Sequence, residues 1–211
     1  KDIQALWEEF SNRLEIKEEN FRKLETDSEL EEKIKILRQD IWKQCNDFGS
    51  NSSGIYTLTV PTGGGKTLSS LRYALNHARK RNKKRILYIL PFTSIIEQNA
   101  DVVREALAAK DYLLEHHSNV VDDSEIGKDE IEYRQLLTEQ WSSSIIFTTM
   151  VQFLNTFFSG GTKNIRRLHN LTDAILIFDE IQALPVKCIS MFNEAVNFLN
   201  SQCRDTIILC S

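Results

Sequence analysis

Two short strings in this 211-residue chain bring together residue types that can act on a charged, phosphate-bearing substrate. In Pro61-Thr62-Gly63-Gly64-Gly65-Lys66-Thr67, three consecutive glycines precede a lysine and a hydroxyl. Glycine lets the backbone curl until its N–H groups face a polyphosphate. Lys66 can then reach the terminal phosphates, and the Thr67 hydroxyl can ligate Mg²⁺. Residues Thr62, Gly63, Gly64, Gly65, Lys66, Thr67 and Leu68 would line such a site, with the following helix turning its positive end toward the same anion. The strict loop pattern begins with glycine, and Val60 holds that position here. A bland glycine-rich turn would have no need of the Gly-Lys-Thr triplet.

The second string is Asp179-Glu180-Ile181-Gln182, directly after the apolar run Ala174–Phe178. A carboxylate ending a buried strand beside the loop strand can hold Mg²⁺, and a second one can polarise the water that attacks a γ-phosphate. Asp-Glu after a strand is often only a helix N-terminal charge pair. Downstream of the glycine loop, the metal-and-base reading is the stronger one. Two further strings also follow apolar strands. Leu90-Pro91-Phe92-Thr93-Ser94-Ile95-Ile96-Glu97-Gln98-Asn99 leads into a helix whose N-terminal donors suit a phosphate. Thr148-Thr149 stands at a helix start, where capping explains the hydroxyls equally well.

These strings need a frame that brings strand ends together. Short apolar strands are predicted at Ile55–Val60, Arg85–Leu90, Tyr112–Glu115, Ser144–Phe147, Ala174–Phe178 and Thr206–Cys210. Helix-length segments such as Thr67–Lys80, Ser94–Ala109 and Val186–Gln202 lie between them. Alternation of this kind implies right-handed crossovers and a mostly parallel sheet covered on both faces, with ligands outside the carboxyl ends of the strands. Residues 1–50 read instead as a charged helical N-terminal extension. Leu6, Trp7, Phe10 and Leu14 recur at helical spacing, as do Leu30, Ile34, Leu37, Ile41, Cys45 and Phe48. Ser28 and Glu31 have capping-box spacing, and Gly49 is expected as a left-handed helix end. Ser50-Asn51-Ser52-Ser53-Gly54 is the expected boundary with a lobe over 51–211.

Composition sets outer limits. The hydrophobic fraction of 41% and charged fraction of 27% are ordinary for a globular protein. No apolar run is long enough to cross a bilayer, and the charged start lacks a signal-peptide pattern. Four cysteines without a C-x-x-C pair argue against a disulfide framework or a zinc site and fit a reducing cytoplasm. A net charge of −4 leaves nucleic-acid binding to a local surface.

The wording of the strings resembles the superfamily-2 helicases. Asp179-Glu180-Ile181-Gln182 looks like their D-E-x-x box, the Pro91–Gln98 string like motif Ia and Thr148-Thr149 like motif Ib. Within that superfamily, four segments are similar to the type I CRISPR-associated helicase–nuclease family. They are Thr59–Leu71, Pro91–Gln98, Leu114-Glu115-His116-His117-Ser118 and Asp179–Pro185, so the likeness runs from about Leu37 to the chain end. This resemblance implies the first RecA-like lobe of a P-loop NTPase motor, driven by ATP and Mg²⁺. Asp179 and Thr67 would hold the metal, and Lys66 and Glu180 would be catalytic. Gln182 would couple hydrolysis to the nucleic-acid site. Pro91, Thr93, Ser94, Gln98, Thr148 and Thr149 would track single-stranded DNA. It also implies recruitment by an RNA-guided surveillance complex and an HD nuclease domain in cis or in trans, since no His-Asp doublet occurs in these residues. Ser211 is expected to open the third helicase motif, with the second lobe beyond it, so the isolated chain is expected to bind ATP weakly and not to turn it over. Other superfamily-2 RNA or DNA motors, and a non-catalytic ATP switch module, remain open alternatives.

Lesser features have modest readings. The basic run Arg79–Arg85 is expected to be a solvated turn, away from the strand ends that bind. Lys163, Arg166 and Arg167 could touch a phosphate backbone. His116 and His117 lack metal-ligand spacing. Phe153, Phe157 and Phe158 read as core, with base stacking as the other use of such rings. Gln39, upstream of the glycine loop, could read adenine as a helicase Q-motif glutamine does.

Overall fold

The computed structural model describes residues 2–61, 63–109, 112–116 and 140–211; Thr62, His117 and Ser118 lie outside the described residues. Two N-terminal helices, α1 (Ile3–Lys23) and α2 (Glu29–Phe48), precede strand β1 (Ile55–Leu58). Then come α3 (Lys66–Arg81), β2 (Arg85–Leu90), α4 (Thr93–Leu107), β3 (Leu113–His116) and β4 (Ile145–Thr149). The chain continues through α5 (Met150–Phe158), α6 (Thr162–Asn170), β5 (Ala174–Phe178), two short 3-10 turns, α7 (Ile189–Gln202) and β6 (Thr206–Cys210). The described strands form one sheet in the order β1-β6-β5-β2-β4-β3, with every pairing parallel.

Both faces of this sheet are buried, because crossover helices cover both. Ile86, Tyr88, Ile175, Ile177, Ile145 and Phe147 point into a core shared with α1, α3 and α4. The alternate residues Leu87, Ile89, Leu176, Phe178 and Ile146 point into a second core under α5 and α7. This two-residue period explains why the central strands read as continuous apolar runs. It is the α/β lobe, parallel sheet and flanking helices, that the sequence led us to expect.

Several local expectations need correction. Val60 lies beyond β1, and β4 runs on to Thr149, so Thr148 and Thr149 end the strand instead of following it. The segment read as one helix over Val186–Gln202 begins with a 3-10 turn at Val186–Cys188. Gly49 caps α2 in right-handed geometry, φ −57°, so left-handed freedom is not why it is glycine. A Cβ there would lie 3.0 Å from Asn76 Cβ and 3.2 Å from the Asn46 carbonyl, so close packing against α3 demands the missing side chain. The Ser28 cap does form, with its hydroxyl accepting from the Glu31 N–H at 3.2 Å.

Helix α1 is no loose appendage. Leu6, Trp7, Phe10 and Leu14 are at most 2% exposed and belong to the core under α3 and α4. The Trp7 indole donates to the Lys83 carbonyl at 2.8 Å, and Arg79 pairs with Glu8 at 2.6 Å. By contrast, Leu30, Ile34 and Leu37 on α2 remain exposed despite their helical spacing.

The basic run is not uniformly solvated. Lys80, Arg81 and Lys84 are exposed, but Lys83 is 2% exposed, its ammonium donating to the Ser53 hydroxyl at 2.7 Å and to the Arg204 carbonyl. The turn is short and Asn82 adopts a left-handed conformation (φ 53°), which carries the next side chain inward under the sheet.

Candidate functional site

The glycine loop leaves β1 at the sheet edge, and the two carboxylates leave β5 two strands away. The intervening strand is β6, so the loop strand and the acidic strand are not neighbours as expected. Lys66, the first residue of α3, spans that gap. Its ammonium lies 2.8 Å from Asp179 Oδ1 and also donates to Glu180 Oε1. Burial alone would lower the Lys66 pKa, but hydrogen bonds to Asp179 and Glu180, and their charges, outweigh it and raise the pKa. The Lys66 hydrogen bond correspondingly holds the Glu180 carboxyl below its ordinary range.

The backbone fixes where these groups stand. The Asp179 N–H continues the ladder to the Ile89 carbonyl at 2.9 Å, and Asp179 Oδ1 accepts the Glu180 N–H at 3.0 Å. Glu180 then turns left-handed, φ 52° and ψ 45°, a conformation that costs a side-chain-bearing residue about 1 kcal/mol or more. That sharp turn stops the strand and aims the glutamate back over Lys66. The Gln182 amide donates to the other Glu180 oxygen, so Gln182 joins the same cluster.

In the loop, Gly63 and Gly65 are left-handed, at φ 79° and 80°. A Cβ on Gly64 would fall 2.6 Å from Val60 Cγ1 and 2.8 Å from the Pro61 carbonyl. All three glycines are therefore required, two by conformation and one by space. No side chain among the described residues caps the start of α3, which leaves its first N–H groups for an anion. The Thr67 hydroxyl donates to Asn99 Oδ1 at 2.6 Å. With its proton committed to Asn99, the Thr67 oxygen offers its lone pairs outward. A hydroxyl oxygen and a carboxylate such as Asp179 are the kinds of donor that Mg²⁺ accepts, since that ion takes few protein ligands and completes its shell with phosphate and water. A cation already stands against Asp179 in the form of Lys66, so the geometry fits the metal's charge.

Asn99, the last residue of the Leu90–Asn99 string, has no role of its own in the sequence reading. Its signal was a polar side chain three residues after Ile96 and one before Ala100, both fully buried. Nothing in the local sequence marks Arg38, whose Nε donates to the Gly63 carbonyl at 2.9 Å. The neighbouring Gln39 is half-buried, and the α2 side chains nearest Gly64 and Gly65 are Arg38, Ile41 and Trp42.

The other sequence-selected residues spread along the same end of the sheet. Ser94 and Gln98 are exposed on the first turns of α4, with Pro91 and Thr93 partly covered. That helix begins after Phe92 with no side-chain cap, so neither Thr93 nor Ser94 caps it. Thr148 is fully buried, its hydroxyl donating to the His116 carbonyl at 3.2 Å. Thr149 caps α5 by accepting the Gln152 N–H at 3.2 Å. His116 Nδ1 accepts the Trp141 indole N–H at 3.1 Å, and Arg167, 8% exposed, lies 5.3 Å over the Trp141 ring. Those two residues thus lock β3 to the α5–α6 region, while Lys163 and Arg166 are exposed. Phe153 is fully buried and Phe158 is 44% exposed.

Comparison with known proteins fits this geometry. The sequence profile of the DEAD/DEAH box helicase family matches residues 36–211. The CRISPR-associated nuclease/helicase Cas3 of Haloferax volcanii is 28% identical over 208 residues, spanning 86% of this chain and 22% of that protein. The crystal structure of T. fusca Cas3 with AMPPNP superposes with a TM-score of 0.64 at 18% identity, covering 83% of this chain and 20% of that one. A DUF1998 helicase, MrfA, bound to DNA gives a TM-score of 0.56 at 16% identity, over 81% and 24%. The fold is therefore a RecA-like lobe, and the chain spans about a fifth of the length of the relatives it matches.

Proposed function

Since the chain belongs to the DEAD/DEAH box helicase family, we propose that it is the ATP-binding first motor lobe of a CRISPR-associated helicase–nuclease acting in antiviral defence. One observation carries the reading: Lys66 bridges from the glycine loop to Asp179 and Glu180 at the carboxyl ends of the strands. A lone ammonium between two carboxylates is a charge arrangement that an incoming triphosphate can reorganise.

On this reading, Lys66 leaves the carboxylates for the terminal phosphates. Asp179 and the Thr67 oxygen hold Mg²⁺, which when bound offsets the phosphate charge. Glu180 loses the partner that lowers its pKa as Lys66 departs, becomes a better base, and takes the proton of the attacking water. Gln182, already bonded to Glu180, passes the state of the site toward the nucleic acid. Ser94 and Gln98, on the exposed first turns of α4, meet single-stranded DNA through its phosphates, with Pro91, Thr93, Thr148 and Thr149 shaping the track. Gln39 is the candidate for reading adenine. The surveillance complex, the HD nuclease domain and a cytoplasmic site of action belong to the same proposal. No helix among the described residues is long and apolar enough to cross a membrane.

Calorimetric titration of the chain with ATP and Mg²⁺ tests the core of this. Saturable binding that is lost in Lys66→Ala and weakened by chelating the metal is the expected result. A flat titration of the wild-type chain would sink it. On the full-length parent, single-stranded DNA should stimulate ATP hydrolysis more than RNA does. Stimulation by RNA alone would point to another superfamily-2 motor, and full function in Glu180→Gln would point to an ATP switch.

A further inference from the structure

Gly63, in the middle of the loop, has little packed against it. A Cβ on Gly63 would meet nothing within 4 Å among the described residues, and a chain so free must be ordered before its N–H groups converge on a phosphate. One peptide of the loop is nonetheless tied at both ends. The Gly64 N–H donates to the Pro61 carbonyl at 2.8 Å, and the Gly63 carbonyl of the same peptide accepts from Arg38 Nε at 2.9 Å.

Arg38 is itself held. Its guanidinium lies 5.7 Å over the Phe21 ring, and Phe21 meets Trp42 edge-on at 5.1 Å. Trp42 is 4% exposed, and its indole Nε1, which has no hydrogen-bond partner among the described residues, stands 4.0 Å from where a Gly65 Cβ would be. The cluster draws Phe21 from α1 and Arg38 and Trp42 from α2, so helix α1, which lies before the 36–211 family match, backs the loop.

We propose that Arg38, backed by Phe21 and Trp42, is a positioning residue that pre-forms the phosphate loop for its nucleotide. The proposal rests on the nucleotide-binding reading above and adds the agent that sets the loop's shape. Arg38 acts on the loop, through the Gly63 carbonyl, and its effect is therefore indifferent to the base. Preorganisation of this kind appears as affinity, because the unbraced loop must be ordered at the moment of binding.

Two measurements on the whole 211-residue chain test it. In the ligand-free protein, Arg38→Ala should speed hydrogen exchange in the 59–66 segment while the melting temperature and the exchange of β2 and β5 stay unchanged. In titrations with Mg²⁺, the same variant should bind ATP and GTP each about tenfold more weakly, the size expected for losing one charge-assisted hydrogen bond, with the ATP-to-GTP ratio unchanged. Phe21→Leu should shift both readouts the same way by less. If Arg38→Ala does not fold, Arg38→Lys, which keeps the charge but not the guanidinium Nε–H, is read by the same criteria. Unaltered loop exchange, or an affinity loss confined to ATP, would overturn the brace. Failure of the wild type to bind any nucleotide would instead overturn the function above, while the ligand-free exchange still judges Arg38.

Discussion

Two lysines divide this lobe between them. Lys66, at the carboxyl ends of the strands, is partly exposed and is held by the buried Asp179 and the part-exposed Glu180. Lys83, at the opposite end, is 2% exposed and is held by a backbone carbonyl and the Ser53 hydroxyl, near the fully buried Asp205. Their pKa values move in opposite directions. That of Lys66 is raised, since its carboxylate partners overcome its burial. That of Lys83 is lowered, since burial outweighs the charges of Asp205 and Asp173. Partners that a ligand can replace make an exchangeable site. Partners that belong to the folded backbone make a fixture.

The sharpest break in that contrast comes from Lys83→Ala. It strips buried donors from Ser53 and the Arg204 carbonyl beneath the sheet, and we expect a loss of about 3 kcal/mol in urea unfolding. The folded fraction should bind nucleotide normally. Lys66→Ala should do the reverse, with nucleotide affinity falling on the order of a hundredfold while stability changes by less than about 1 kcal/mol. A large stability loss there would mean that the crevice lysine is structural too.

Protons offer a finer test. Burial pushes the Asp205 carboxyl up to about 8, and one of its oxygens has no hydrogen-bond partner among the described residues. Burial likewise lowers His77 to about 4, its Nδ1 at 3.0 Å from the Gly49 carbonyl and Nε2 at 2.8 Å from the Thr206 hydroxyl. The folded chain therefore keeps a proton on Asp205 that the unfolded chain has released, so stability falls as pH rises from about 6.5 to 8, by roughly 1 kcal/mol. Below 6.5, the unfolded chain gains a proton on His77 that the folded one refuses, which offsets the Asp205 term down to about pH 4. Asp205→Asn should flatten the alkaline limb and expose a loss of stability as pH falls from 6.5 toward 4. Melting curves in pH steps would read both, and an unchanged profile would remove Asp205 from the account. Smallest of all, Glu8→Ala breaks the half-exposed pair with Arg79 at the rim of the same region, and should cost under about 1 kcal/mol in the urea measurement that compares it with Lys83→Ala.

Much of this was legible in the residues themselves. The Gly-Lys-Thr triplet after an apolar strand and the Asp-Glu pair after another pointed to the same end of a parallel sheet, and Lys66 does meet Asp179 and Glu180 there. Strand type and order of motifs are local or topological, so a sequence carries them. The α2 stripe Leu30-Ile34-Leu37 marked the helix that forms but not its exposure, because helical spacing says which residues share a face but not whether anything covers it.

The amino-acid order by itself determined the alternation of strands and helices, the glycine conformations of the loop and the chemistry available at each strand end, since these depend on residue type and near neighbours. Only the tertiary structure decided that β6 separates the loop strand from the acidic strand, that α1 lies in the core, that Lys83 is buried while Lys84 is not, and that Arg38 and Asn99 reach the loop and its threonine. Each of those is a contact between segments far apart in the chain, fixed by packing across the sheet, and no short-range pattern records it.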